Sequence, residues 1–493
     1  MTSLFLLMVF APLITGLYLF FSKAEGKMVK KISMISSGLV MLISFYLYFV
    51  FDKTNPDFQF LVSVDWIKNL GISFSMGMDG ISLSLVLLTT IISFATLIFL
   101  GEETENAKNF FALILLLETT LMGVFVSLDF ILFYLFWELV LIPMYFMILE
   151  WGGPRRRYAA MKFFIYTHLG SFFMLAGIIA MFFLKGSIDG FYTLNIIEYL
   201  NFDFPEKFQI MVFPFLFLGF AFKLPLVPFH TWLPDAHVEA PTAGSMLLAG
   251  VMLKMGGYGL IRLGFPIFPE AVHYYSYILA TLGVVSMLYG AFLALAQDDL
   301  KKMIAYSSVS HMGSVVFGLA TVNINGFNGA AYQLFAHGII SAMLFMVCGI
   351  LQHSFHTRNI SMLGGVAQKV PKLTAFFVFS FMASLGLPGL AGFIAEINVF
   401  IGAFAVFRYL TIAAMFSMIL SAVYYLWALE RAFFGEVNLA LVGQEYEDIN
   451  KNEKTALIFL TALIVFFGVI PGPLINLLNV SNLEIIARIG GIN

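Results

Sequence analysis

The chain is poor in the residues that soluble proteins rely on. Only 11% of its 493 residues are charged, and there is a single cysteine. Globular proteins carry about 25% charged residues. One thiol, Cys348, can build neither a disulfide framework nor an iron–sulfur centre. No glycine-rich phosphate loop follows a predicted strand, and there is no Walker pattern. No basic patch interleaved with aromatics supports nucleic-acid binding. Redox chemistry or nucleotide hydrolysis, if it drives this protein, belongs to another chain. What remains is 60% hydrophobic sequence with 57 Phe, far above the globular range of about 45–50% apolar. The class is a polytopic membrane protein.

Apolar runs of about 18–25 residues predict an all-α integral membrane fold of about 14 transmembrane helices. Their expected limits are 2–21, 30–51, 78–100, 109–127, 128–149, 160–184, 208–231, 241–262, 273–296, 301–322, 327–352, 372–402, 404–433 and 455–479. Between the fourth and fifth, only Ser127 and Asp129 mark a turn. The first run lacks a basic segment before it, and Lys23, Lys27, Lys30 and Lys31 follow it instead. That arrangement fits a retained helix rather than a cleaved signal. Most of the 26 Lys and Arg residues fall in the odd-numbered loops, including the Arg155-Arg156-Arg157 run. The bias predicts that those loops face the cytoplasm and that both termini lie outside, in a cell inner membrane.

Two helices are expected to be broken. The seventh reads Phe222-Lys223-Leu224-Pro225-Leu226-Val227-Pro228, and the twelfth reads Ser384-Leu385-Gly386-Leu387-Pro388-Gly389. Each proline removes a donor and frees carbonyls. At membrane depth such backbone survives only inside protein or along a wet cavity. Breaks five helices apart predict two inverted five-helix repeats, helices 4–8 (109–262) and 9–13 (273–433). Residues 1–108 form an N-terminal unit of three helices, and 455–493 form the last helix and tail.

The chemistry resides in ionisable residues inside apolar runs. Lys223, Lys254, Glu138, His311 and His337 all fall near mid-span, where a lone charge is costly and usually serves ion or proton movement. Burial favours a neutral amine and a nearby carboxylate favours the ammonium. A lysine balanced between the two can load and release a proton. Glu138 is the expected partner of Lys223; a static salt bridge is the bland alternative. Lys254 sits too deep for its stem to reach an interface comfortably. One buried histidine is usually structural, but two on adjacent helices suggest a relay. Tyr306, Ser307, Ser308, Ser310 and Ser341 could anchor water near them. Glu396, after the second break, is placed to pass a proton outward. Glu118 has no obvious partner, and Asp79 reads as a helix cap.

The stretch Phe222 to Ser245 (FKLPLVPFHTWLPDAHVEAPTAGS) closely resembles the signature of antiporter-like subunits of respiratory complex I, and it runs on to Lys254 and Arg262. Met78-Asp79-Gly80-Ile81-Ser82, Phe136-Trp137-Glu138, the segment Asp299 to Gly313 and His337-Gly338 match as well. The family is similar to subunits of multisubunit sodium/proton antiporters and membrane-bound hydrogenases. Glutamate at position 396 points to its chain M branch (subunit 4 type). The chain also ends without the long lateral helix of chain L. The resemblance implies a proton-translocating subunit of NADH:quinone oxidoreductase, with Glu138 and Lys223 as a modulating pair. Lys254, His311 and His337 would be the central relay and Glu396 the terminal site. It implies no cofactor or metal on this chain, with NADH, FMN, iron–sulfur clusters and quinone on other subunits. The implied partners are the other membrane subunits, including two related antiporter-like chains. Alternatives are an antiporter or hydrogenase subunit without this redox partner, and a passive spacer with frozen ion pairs.

Overall fold

The computed structural model describes residues 1–101, 105–436, 438 and 446–490. Residues 102–104 of the expected N-terminal unit and 491–493 of the expected tail lie outside the described residues. Helix dominates, as the apolar runs require. Among the described residues, 11 helices are long and apolar enough to cross a membrane. Each expected run falls on a helix or on a broken pair. Glu206–Lys223 and Leu300–Leu319 hold the seventh and tenth runs and carry charged residues within them.

Burial sorts the helices into a centre and a periphery. The helix over Thr242–Ile267 and the helix Ile324–Phe355, the eighth and eleventh runs, are 100% buried in their most apolar windows; the first two helices are 33% buried. An apolar helix is stable against lipid and against protein alike, so burial and not hydropathy marks these two as central. Lys254 and His337 ride on these two central helices. Both residues are therefore held inside protein rather than against lipid.

Several helices are interrupted. The seventh run stops at Lys223 and resumes as Trp232–Glu239. The twelfth is split into Pro371–Ser384 and Ala391–Val406. Both interruptions fall on the proline sequences expected to cause them. A third was not expected: the fifth run divides into Phe130–Leu139 and Leu141–Trp151, immediately after Glu138. The eighth run carries wide π-helical turns at Leu248–Met252 and Leu260–Gly264, on either side of Lys254. The last run ends at Val469 rather than 479, where Ile470-Pro471 interrupts it, and Gly472–Ile489 begins anew.

Two features depart from an all-helical chain or refine its boundaries. Between the second and third helices, Gln59–Ile67 pairs antiparallel with Ile72–Met78, in a register that sets Val62 against Met76 and Asp65 against Ser73. Alternation of Val62, Val64 and Trp66 with Ser63 and Asp65 is the period-two signal that a search for long apolar runs passes over. The expected turn at Asp129 is present: its carboxylate accepts from the amides of Ile131 and Leu132 and starts the fifth helix.

Candidate proton-transfer site

The first broken helix exposes carbonyls, and the surrounding chain satisfies part of the need. Trp232 donates its indole N–H to the Phe222 carbonyl at 2.8 Å. Leu226 N–H donates to the Ala221 carbonyl at 3.1 Å, and Val227 N–H donates to Ser286 Oγ at 3.0 Å. Lys223 closes the helix and is buried, yet its Nζ has no hydrogen-bond partner. The ammonium position lies 5.4 Å from the centroid of the Trp137 ring, within the range of a cation–π attraction.

The expected Glu138–Lys223 pair is not a direct contact. Glu138 Oε2 lies 2.6 Å from His168 Nδ1, and its Oε1 is buried without a partner. His168 belongs to the long sixth helix Arg156–Asp189. Sequence offered no hint of His168, which stands in an apolar stretch 30 residues along, and a contact between two helices leaves no local spacing.

Lys254 donates to the Ala249 carbonyl inside the π-helical turn and lies 2.8 Å from His337 Nδ1. It is fully buried, so the snorkelling alternative does not apply. Two nitrogen bases at that separation can hold one proton in either of two ways. The ammonium donates to a neutral imidazole, or an imidazole N–H donates to a neutral amine. The His337 and His311 ring centroids are 5.3 Å apart.

His311 is the hub. Its Nδ1 receives a contact from Gln333 Nε2 at 3.3 Å and faces Glu396 Oε1 at 3.6 Å. Its Nε2 lies 3.3 Å from Ser384 Oγ, at the end of the first half of the twelfth helix. Ser384 Oγ is 2.6 Å from the Tyr425 hydroxyl, which donates to Ser307 Oγ at 3.0 Å. A neutral His311 accepts from Gln333 and donates to Ser384; a protonated ring turns an N–H toward Glu396. Gln333, Ser384 and Tyr425 were missed at the sequence level because hydroxyls and amides in membrane helices are too common to single out.

Glu396 ends the row. It is buried, its Oε2 has no partner, and it borders a cavity of about 20 Å³ with Ser310, Ser314, Ser417 and Ser421. That space holds about one water. All four serines donate to backbone carbonyls, which leaves their oxygens as acceptors. Of the other expected water anchors, Ser308 and Ser341 donate to carbonyls of their own helices, and Tyr306 stands apart beside His230.

Three further buried ionisable residues, Asp79, Arg262 and Glu118, have partners within the protein. Asp79 caps the third helix Gly80–Phe99 by accepting from Ser82 N–H at 2.9 Å, and it also pairs with Arg262. Arg262, at the expected end of the eighth run (241–262), is buried inside the helix, which continues past it. Glu118 has a partner after all: Ser37 donates to its Oε1 at 3.0 Å.

Comparison with known proteins shows what the chain as a whole is similar to. A family profile described as "NADH:quinone oxidoreductase/Mrp antiporter, TM" matches residues 127–421. F(420)H(2) dehydrogenase subunit M of Methanosarcina mazei is 42% identical over 489 residues, covering 98% of both chains. NADH-quinone oxidoreductase subunit M of Rickettsia bellii is 39% identical over 481 residues, covering 96% of both chains. Among solved structures, a chain of respiratory complex I from Thermus thermophilus with bound NADH superposes with a TM-score of 0.89 at 30% identity, covering 98% of this chain and 99% of that one. A chain of the Mrp complex from Dietzia sp. shares the fold, with a TM-score of 0.87 at 18% identity over 99% of both. The chain belongs to the family of NADH:quinone oxidoreductase and Mrp antiporter membrane subunits.

Proposed function

We propose that this chain is the proton-translocating, subunit M-type membrane component of an NADH:quinone oxidoreductase, a translocase. Protons move through Lys254, His337, His311 and Glu396, and Glu138 with Lys223 modulates the row. Flavin, iron–sulfur and quinone chemistry reside on other subunits. The neighbouring membrane subunits, including two related antiporter-like chains, are its partners. It spans the cell inner membrane many times with both termini outside, and residues 109–262 and 273–433 act as two inverted repeats.

The observation that carries the reading is the 2.8 Å Lys254–His337 contact on two fully buried helices. Two buried bases within hydrogen-bond reach can hold one proton at either nitrogen, which is what a relay requires. Lys223 enters through its field. When the His168 ring holds Glu138, as here, the carboxylate is engaged away from Lys223, whose Nζ has no direct partner. Release of Glu138 toward Lys223 would favour its ammonium, and that positive charge would push the shared proton toward His311 and Glu396. The redox energy that shifts Glu138 comes from the neighbouring subunits.

The test uses inverted membrane vesicles carrying the intact complex with Lys254→Met. NADH oxidation by ferricyanide, which reports the assembled redox arm, should stay normal while proton uptake per quinone reduced falls. An assembled Lys254→Met complex that pumps at the normal ratio rejects the proposal. The relative from Methanosarcina mazei bears the name of a dehydrogenase with another electron donor. Chains that copurify with this one therefore decide the donor: flavin and iron–sulfur subunits acting on NADH support the reading above. Their absence favours an antiporter subunit.

A further inference from the structure

A long trough runs along the outer face of the second helix, Gly26–Val50, with a volume of about 700 Å³. Its floor is apolar. Gly38 lacks the side chain that would fill it, since a Cβ there would stand 3.2 Å from Phe94 Cε2 of the third helix. Ile35 and Leu42 form its exposed rim. All of its charge gathers at one end, where Lys27 and Lys31 are exposed. Lys30, at the same end, is committed to the protein, donating to the Leu100 carbonyl at 2.6 Å. The adjoining cleft, lined by Lys23, Glu25 and Lys108, adds further net positive charge.

This polarity matches one ligand class. From Lys27 to Leu42 the helix rises about 22 Å at 1.5 Å per residue. One leaflet including its headgroups is half of about 40–45 Å, or about 20–22 Å. A trough with cations at one end and a continuous apolar floor of leaflet length is complementary to a lipid that is anionic at the head and apolar below. A neighbouring protein helix would find two exposed lysines to desolvate at its end, at a cost that a phosphate removes. We propose that this trough binds an anionic phospholipid, with its phosphate between Lys27 and Lys31 and an acyl chain over Gly38 against Phe94. The lipid belongs to the leaflet that borders the loop between the first two helices. It would act as part of the seam between the N-terminal helices and the buried third helix, apart from the proton row.

The experiment incorporates photoreactive phosphatidylglycerol or photoreactive phosphatidylcholine into vesicles that carry the intact complex, and maps the label by mass spectrometry. The phosphatidylglycerol probe should label residues 35–42, and the phosphatidylcholine probe should label them far less. A juxtamembrane lysine is worth about 1 kcal/mol toward anionic lipid, or about fivefold. Lys27→Gln with Lys31→Gln should thus cut phosphatidylglycerol labelling about 25-fold. Gly38→Leu, which keeps both lysines, should abolish labelling by filling the floor. Blue native gels confirm assembly of each variant. Equal labelling by the two lipids, labelling indifferent to the lysines, or an unlabelled trough crosslinked instead to a neighbouring subunit each overturns the proposal.

Discussion

Gly386 offers the sharpest test of the Glu396 end of the proposed proton row, because the same break contains its own control. Gly386 has φ +81° and Gly389 has φ +91°, a backbone region that disfavours any Cβ. Alanine at either position costs about 1–2 kcal/mol of backbone strain. The two sites differ in what the new methyl meets. At Gly389 nothing lies within 4 Å, whereas at Gly386 the Cβ would stand 2.4 Å from Glu396 Oε2. That oxygen must retreat by about 0.6 Å merely to reach a 3.0 Å contact, and further for an unstrained one. The His311–Glu396 separation of 3.6 Å already sits at the limit of a useful contact. A displacement approaching 1 Å of a reacting group can cost on the order of 10²-fold in rate. Gly389→Ala should therefore assemble and pump within about twofold of normal, whereas Gly386→Ala should assemble equally well and lose at least about tenfold of its pumping. The assay is acidification of inverted vesicles, normalised to the redox activity of the same complex. Equal losses in the two variants would show that the break needs glycine for its backbone alone, and normal pumping in an assembled Gly386→Ala complex would remove Glu396 from the path.

Three further outcomes follow from the same geometry. Arg262→Met leaves Asp79 buried and unpaired, a change worth about 3–5 kcal/mol, so the complex should lose thermal stability and assembly; Asp79→Asn added to Arg262→Met should restore part of it. Ser384→Ala removes the hydroxyl between His311 and Tyr425, and should lower pumping several-fold with no change in melting temperature. His168→Gln breaks the contact with Glu138, which is partly exposed and worth no more than about 1 kcal/mol; stability should hold while the ratio of protons to electrons changes. A His168→Gln complex with unaltered coupling would make that contact incidental.

The sequence disclosed the broken helices well, because proline leaves its signature in the chain itself. Breaks at Pro225 with Pro228 and at Pro388 appear where expected, as does the turn at Asp129. Burial of Lys254 was also legible, since a mid-span lysine has nowhere else to go. Pairings were harder. Glu138 was matched to Lys223 by depth alone, but which neighbour a side chain meets depends on rotation about its helix axis. The rotation found here brings Glu138 against His168 of the sixth helix. Arg262 stands at the expected end of the eighth run, and its salt bridge with Asp79, 183 positions earlier, is visible only once the third and eighth helices are packed. The hairpin over residues 59–78 escaped because its alternating pattern is shorter than any membrane span.

The π-helical turn at Leu248–Met252 has a consequence for how this chain tolerates change. One residue more than a regular turn needs is held there, and everything after it is phased accordingly. Deleting a single amino acid from that turn would let ordinary helix form. The helix beyond would keep nearly its phase, but the widened turn whose Ala249 carbonyl accepts from Lys254 would be gone. Every ionisable side chain would remain in the sequence while the setting of the amine changed, so the width of one turn counts for as much as the lysine it serves.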